Sequence, residues 1–105
     1  MSTQKQFNSF EELVTSSENP ILVDFYAPWC GPCQLMAKVL EQAGEQLRGK
    51  VQIIKINTDN YPELASKYQV YALPTMILFK EGQPVHRLEG AMPAPKLLEN
   101  LAPWI

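Results

Sequence analysis

The sequence predicts an α/β fold, a mixed sheet with helices on both faces. Three observations predict it. Helix-like and strand-like stretches alternate, in the order helix, strand, helix, strand, helix, strand, strand, helix. The first strand candidate, ILVDFYA, is a nearly unbroken apolar run, as in a strand buried on both faces. The last two strand candidates are joined by the turn sequence EGQP, so a β-α-β half is followed by a hairpin. A chain of 105 residues, 46% hydrophobic and 19% charged, fits one domain over 1–105 with one core.

Each element has a local cause. NSFEEL opens with Ser9 and has Glu12 three residues later, a capping box. Phe10, Leu13 and Val14 form the apolar face of that short helix, which ends near Ser17. Ile21 to Ala27 make the first strand. From Pro32 onward Leu35, Met36, Val39, Leu40, Ala43 and Leu47 recur at helical spacing, and Gly49 marks the stop. Val51 to Ile56, VQIIKI, read as a second buried strand. In NYPELASKY, Asn60 or Tyr61 caps a short helix, Pro62 sits in its first turn, and Leu64, Ala65 and Tyr68 face inward. TMILFK is the third strand, and VHRLEG alternates like a strand with one solvated face. APKLLENLA closes the chain as a helix, with Pro95 early and Pro103 near its end. STQKQF could add an edge strand, so the sheet has four or five.

Composition excludes several functions. A net charge of −2 leaves no basic stripe, so nucleic acid is not an expected partner. No apolar run approaches the length of a membrane span. The N-terminal MSTQKQFNSF is polar and lacks the apolar core of a signal peptide. The expected location is the cytoplasm, or an organelle for a trimmed mature form. Nothing demands a dimer, and a monomer is expected.

The chemistry lies in WCGPC, which holds both cysteines of the chain. Cys30 falls where a buried strand ends and a long helix begins. Unpaired N–H groups and a partial positive charge stabilise a thiolate there. Cys33 lies about one turn on, on the same side, so the first sulfur can be exposed while the helix covers the second. That arrangement suits an attacking thiol and a resolving partner. Pro32 suits a first helical turn, and Gly31 lets a partner backbone come close. Neither adds positive charge beside the thiolate, which favours a reductant over an oxidant. A zinc site needs about four ligands, and only His86, expected on the surface of the hairpin, could join the cysteines. No metal or cofactor beyond the dithiol is therefore expected. A bridge closing so short a loop also adds little stability.

Three further residues are read beside it. Asp24 interrupts ILVDFYA. It is either a buried proton acceptor for Cys33 or a residue on a less buried strand facing water. Lys55 lies between isoleucines and could neighbour Asp24, although sequence alone favours an ammonium reaching solvent. Pro74, alone, reads as an ordinary trans proline at a strand start.

VDFYAPWCGPC, ALPT, FKEGQP and LEGA, in that order and spacing, resemble the thioredoxin family over almost the whole chain. The resemblance implies the thioredoxin fold, a mixed sheet flanked by four helices. It implies that Cys30 attacks and Cys33 resolves, that Asp24 is the family's buried acid and Lys55 its neighbour. It implies a cis Pro74, with the Leu73 backbone pairing with an extended substrate segment. Trp29, Gly31, Pro32, Gly90 and Ala91 would line the surface around Cys30; packing in the core is the alternative for Trp29. The implied activity is a general protein-disulfide reductant, and the implied partners are disulfide-containing targets and a thioredoxin reductase. A binding module without redox turnover and an oxidase or isomerase are the alternatives. Gln34 stands where lysine is common, Tyr26 where tryptophan is common, and Lys38 where a proline kinks the long helix, so a straighter helix is expected. DFYAPWCGPCQLM and YALPTMILFKEG look most like the y-type plastid thioredoxins and their cyanobacterial relatives. That likeness implies electron donation to peroxiredoxin-like enzymes, recharging by a ferredoxin-linked or NADPH-linked reductase, and a stromal location for a trimmed form.

Overall fold

The computed structural model describes residues 10–105. Ser9 and STQKQF, with the capping box and edge strand expected of them, lie outside the described residues. The elements are α1 (Phe10–Ser16), β1 (Ile21–Tyr26), α2 (Gly31–Leu47), β2 (Gln52–Asn57), α3 (Pro62–Lys67), β3 (Thr75–Lys80), β4 (Gln83–Glu89) and α4 (Ala94–Leu101). A 3-10 turn over Ala102–Trp104 follows α4. The order is the expected one.

The strands form one sheet in the order β2-β1-β3-β4. β1 pairs parallel with β2 and antiparallel with β3, and β3 pairs antiparallel with β4. The sheet is therefore mixed. β1 and β3 lie in its middle, and each is buried over five consecutive residues, Ile21–Phe25 and Thr75–Phe79. Their apolar runs follow from cover on both faces.

Alternate residues of a strand point to opposite faces, which gives β1 two environments. Leu22 joins Met36, Leu40, Met76, Leu78 and Leu97 beneath α2 and α4. Ile21, Val23 and Phe25 join Phe10, Leu64 and Phe79 beneath α1 and α3. On that second face Tyr68 packs edge-on against Phe79 at 5.2 Å and tilted against Phe10 at 6.0 Å. Each fully buried large side chain contributes about 1.5–3 kcal/mol.

Local signals act as their chemistry requires. Gly49 follows α2 with φ +81, and Lys50 and Val51 donate their N–H groups to the carbonyl of Leu47. Glu81 and Gly82, both at positive φ, make the two-residue β3–β4 turn. A Cβ on Gly82 would lie 2.8 Å from Thr15 Oγ1, so the turn also needs glycine to pass α1. α2 runs from Gly31 through Lys38 to Leu47.

Several expectations need correction. β2 starts at Gln52 and is an edge strand among the described residues, half-exposed rather than buried. Its isoleucines had the composition of a central strand, but strand order sets burial. Leu35 is 62% exposed. The buried stripe of α2 is Cys33, Met36, Leu40, Ala43 and Leu47, and two residues from Cys33 is the far side of a helix. Leu13 is likewise exposed, leaving Phe10 and Val14 to anchor α1. Of the two N-cap candidates of α3 the structure takes Tyr61, as the sequence allowed, but its side chain makes no capping bond. His86 is half-buried rather than on the surface, its ring 6.0 Å from that of Trp104, because the C-terminal turn packs against β4. Among the described residues, no helix is long and apolar enough to cross a membrane.

Candidate active site

The site forms where β1 delivers the chain to α2. Pro28 and Trp29 make the connection, and the Cys30 N–H donates to the carbonyl of Ala27 at 3.2 Å. Cys30 is the N-cap of α2, with φ −94 and ψ 112. Its Sγ accepts a hydrogen bond from the N–H of Cys33 at 3.1 Å. That sulfur thus takes the place of a serine or aspartate oxygen, at the positive end of a helix of 17 residues. Pro32 falls in the first turn, where its missing N–H costs nothing.

Cys30 and Cys33 form a disulfide. Cys30 is 6% exposed and Cys33 4%, so the expected contrast between an open and a covered sulfur is nearly absent in the bridged pair. Both sulfurs are drawn into a small cluster with Ala27, against which Tyr26 and Leu73 pack. Gly31 and Pro32 are exposed, and a Cβ on Gly31 would meet nothing within 4 Å. Packing within the chain therefore does not demand that glycine.

The Leu73–Pro74 bond is cis, which corrects the trans reading of Pro74 alone and agrees with the resemblance. Pro74 is buried, and its carbonyl accepts from Gly90 N–H at 2.9 Å. That bond ties the loop before β3 to the end of β4. Leu73 thereby lies against the disulfide, with Gly90 next to Pro74 and Ala91 exposed beyond it. Trp29 is 72% exposed, which rules out core packing; its Nε1 donates to Asp59 Oδ2 at 3.1 Å.

Asp24 is fully buried, which excludes the water-facing alternative. It shares the α2 side of the sheet with Leu22, and neither carboxyl oxygen has a hydrogen-bond partner among the described residues. Burial raises its pKa from 3.8 to about 6, and the charge of Lys55 pulls the other way. Lys55 is its register partner on β2. Lys55 is exposed, as sequence alone favoured, yet its Nζ sits 5.1 Å from the centre of the Tyr26 ring.

Sequence reading passed over three residues here. Asp59 is one polar residue of a polar turn, and nothing in its spacing points to Trp29. Tyr71, 85% exposed two residues before Leu73, broke the rule of polar loops and could have been noticed. Tyr26 reads in the sequence only as a replacement for tryptophan. Among the described residues no group of three or more His, Cys, Asp or Glu could hold a metal.

A Cys-x-x-Cys disulfide at a helix N-terminus, beside a cis proline and above a buried acid, defines a thiol–disulfide oxidoreductase. The Thioredoxin family model matches residues 2–103, and the chain belongs to that family. It is 52% identical over 105 residues to thioredoxin-like protein slr0233 of Synechocystis sp., covering 100% of both chains. It is 51% identical over 98 residues to Thioredoxin Y, chloroplastic, of Oryza sativa subsp. japonica, covering 93% of this chain and 58% of that one. It is 45% identical over 97 residues to Thioredoxin of Synechocystis sp., covering 92% and 91%.

Proposed function

We propose that the chain works as one domain over residues 1–105 and is a general reductant of protein disulfides. The observation that carries the reading is the hydrogen bond from Cys33 N–H to Cys30 Sγ at the mouth of α2. The same donor and helix end stabilise a Cys30 thiolate once the pair is reduced. The thiolate attacks one sulfur of a target disulfide, and the other target sulfur leaves as a thiolate. The Asp24 carboxylate takes the proton of Cys33, and the Cys33 thiolate attacks Cys30. The second target sulfur then leaves, and Cys30–Cys33 is again a disulfide. Two electrons have passed to the target.

Lys55 tunes Asp24 by charge. The Leu73 backbone beside Pro74 pairs with an extended target segment, and Trp29, Gly31, Pro32, Gly90 and Ala91 form the floor around it. The reductant direction rests on Gly31 and Pro32, which place no cation beside Cys30. The likeness to a y-type chloroplastic relative supports donation to peroxiredoxin-like enzymes. It also supports recharging by a ferredoxin-linked rather than an NADPH-linked thioredoxin reductase. The chain acts as a monomer in the cytoplasm or the stroma, without metal, nucleic acid or membrane.

A redox titration of Cys30–Cys33 in dithiol/disulfide buffers, followed by tryptophan fluorescence, tests the direction. A midpoint near about −270 mV, the value thioredoxins themselves set, is expected. A midpoint near about −180 mV or higher belongs to isomerases and oxidases and reverses the assigned electron flow.

A further inference from the structure

We propose that Tyr26 is a positioning residue whose ring holds the Lys55 ammonium beside the Asp24 carboxyl. The proposal rests on the reading of Asp24 as the acceptor of the Cys33 proton. Asp24, Tyr26 and Lys55 share one side of the sheet. Asp24 and Tyr26 are two residues apart on β1, and Lys55 is in register with Asp24 on parallel β2. β2 lies at the sheet edge among the described residues. An unrestrained lysine there would extend its stem into water, where its charge is screened.

Lys55 Nζ lies over the Tyr26 ring, 5.1 Å from its centre, within the range of a cation–π contact. Among the described residues Lys55 forms no ion pair, so the ring is what holds its ammonium. Tyr26 in turn packs against the cluster of Ala27, Cys30 and Cys33. The residue that meets Lys55 is therefore also in contact with the redox cluster. The neighbours of Asp24 leave Lys55 as the charge that acts on it. β3 presents Met76, and α2 covers the face with Cys33 and Met36. Lys55 opposes the effect of burial on Asp24, and that opposition depends on where the ammonium is held.

The test is the titration of the Asp24 carboxyl carbon by NMR in the oxidised full chain. Wild type, Tyr26→Leu, Lys55→Met and the double variant complete a cycle. Tyr26→Leu is expected to raise the midpoint by a few tenths of a pH unit, and Lys55→Met by more. The double variant is expected to match Lys55→Met alone. Tyr26→Trp, with a stronger cation-binding face, is expected to keep the midpoint at or below that of wild type. If Tyr26→Leu does not fold, Tyr26→Met makes the same comparison. The proposal is overturned if loss of the ring leaves the midpoint in place, or moves it equally when Lys55 is already methionine. The pH profile of product release from the Cys30 mixed disulfide separates this from the role of Asp24. A limb that follows the NMR midpoint across the variants supports both. A profile indifferent to Asp24→Asn, with the cycle intact, removes the proton role and leaves the Tyr26–Lys55 contact standing.

Discussion

The two faces of β1 are both buried over Ile21–Phe25, with Tyr26 half-buried at the strand end, and do opposite work. One face presents Ile21, Val23 and Phe25 to an apolar and aromatic core under α1 and α3. The other presents Leu22, Asp24 and Tyr26, and holds a carboxyl without hydrogen bonds among the described residues, under the helix that carries the thiols. The first face stabilises the fold. The second costs stability and uses that cost to raise the proton affinity of Asp24. The difference shows how a single strand with period-2 alternation separates structure from chemistry with no insertion or second domain.

The largest expected effect separates the faces most sharply. The Cys30→Ser/Cys33→Ser double variant should abolish disulfide reduction in a turnover assay with a protein disulfide substrate. Its urea midpoint should stay close to that of the reduced wild type, because no element of the apolar face is touched. Retained cellular function in this variant would support a binding module instead. Cys33→Ser alone should accumulate a covalent mixed disulfide through Cys30, visible by mass spectrometry.

Next comes the opposite face. Phe79 makes edge-on contacts with Phe10 at 5.6 Å and Tyr68 at 5.2 Å and is 1% exposed. Phe79→Ala should cost about 3–5 kcal/mol in urea unfolding. The Cys30–Cys33 redox midpoint of the folded fraction should not move. A shifted midpoint would break the division between the faces.

Asp24→Asn should act in the other direction. The folded state holds the Asp24 proton more tightly than the unfolded chain, with a pKa of about 6 against 3.8. Charging it therefore lowers stability as pH rises through that window, and the penalty is full above it. The neutral variant should gain at most about 3 kcal/mol near neutral pH and nothing below about pH 4. Unfolding of the oxidised protein at several pH values checks the sign. A gain independent of pH would mean that Asp24 is not charged at neutrality.

The smallest effect is expected at the surface. Glu11 and Lys67 form an ion pair in full contact with water. Glu11→Gln should leave both melting temperature and activity unchanged, since exposed pairs are screened and entropically costly. A measurable loss would show that α1 is held by charge as well as by Phe10 and Val14.

Much of this was legible in the chain because it is local. The unbroken run at Ile21–Ala27, the period of Met36, Leu40, Ala43 and Leu47, and the Glu81–Gly82 turn depend on neighbours a few residues away. WCGPC announces its chemistry because a thiol pair at a strand-to-helix junction is itself a local device. The failures were of a different kind. Ile53, Ile54 and Ile56 have the composition of a central strand and lie on an edge. His86 was expected on the surface and is half-enclosed by Trp104, eighteen residues away in the chain.

The residues alone determined the alternation of elements, the dithiol and its place at a helix start. These are matters of side-chain chemistry and short-range backbone preference. Tertiary structure decided the rest. It settled that Asp24 is buried, that Lys55 lies opposite it and over Tyr26, and that Leu73 packs against the cluster of Cys30 and Cys33. Those facts come from strand order and register, which join residues more than thirty positions apart. No local pattern carries that pairing, because it is chosen by the burial of whole faces at once.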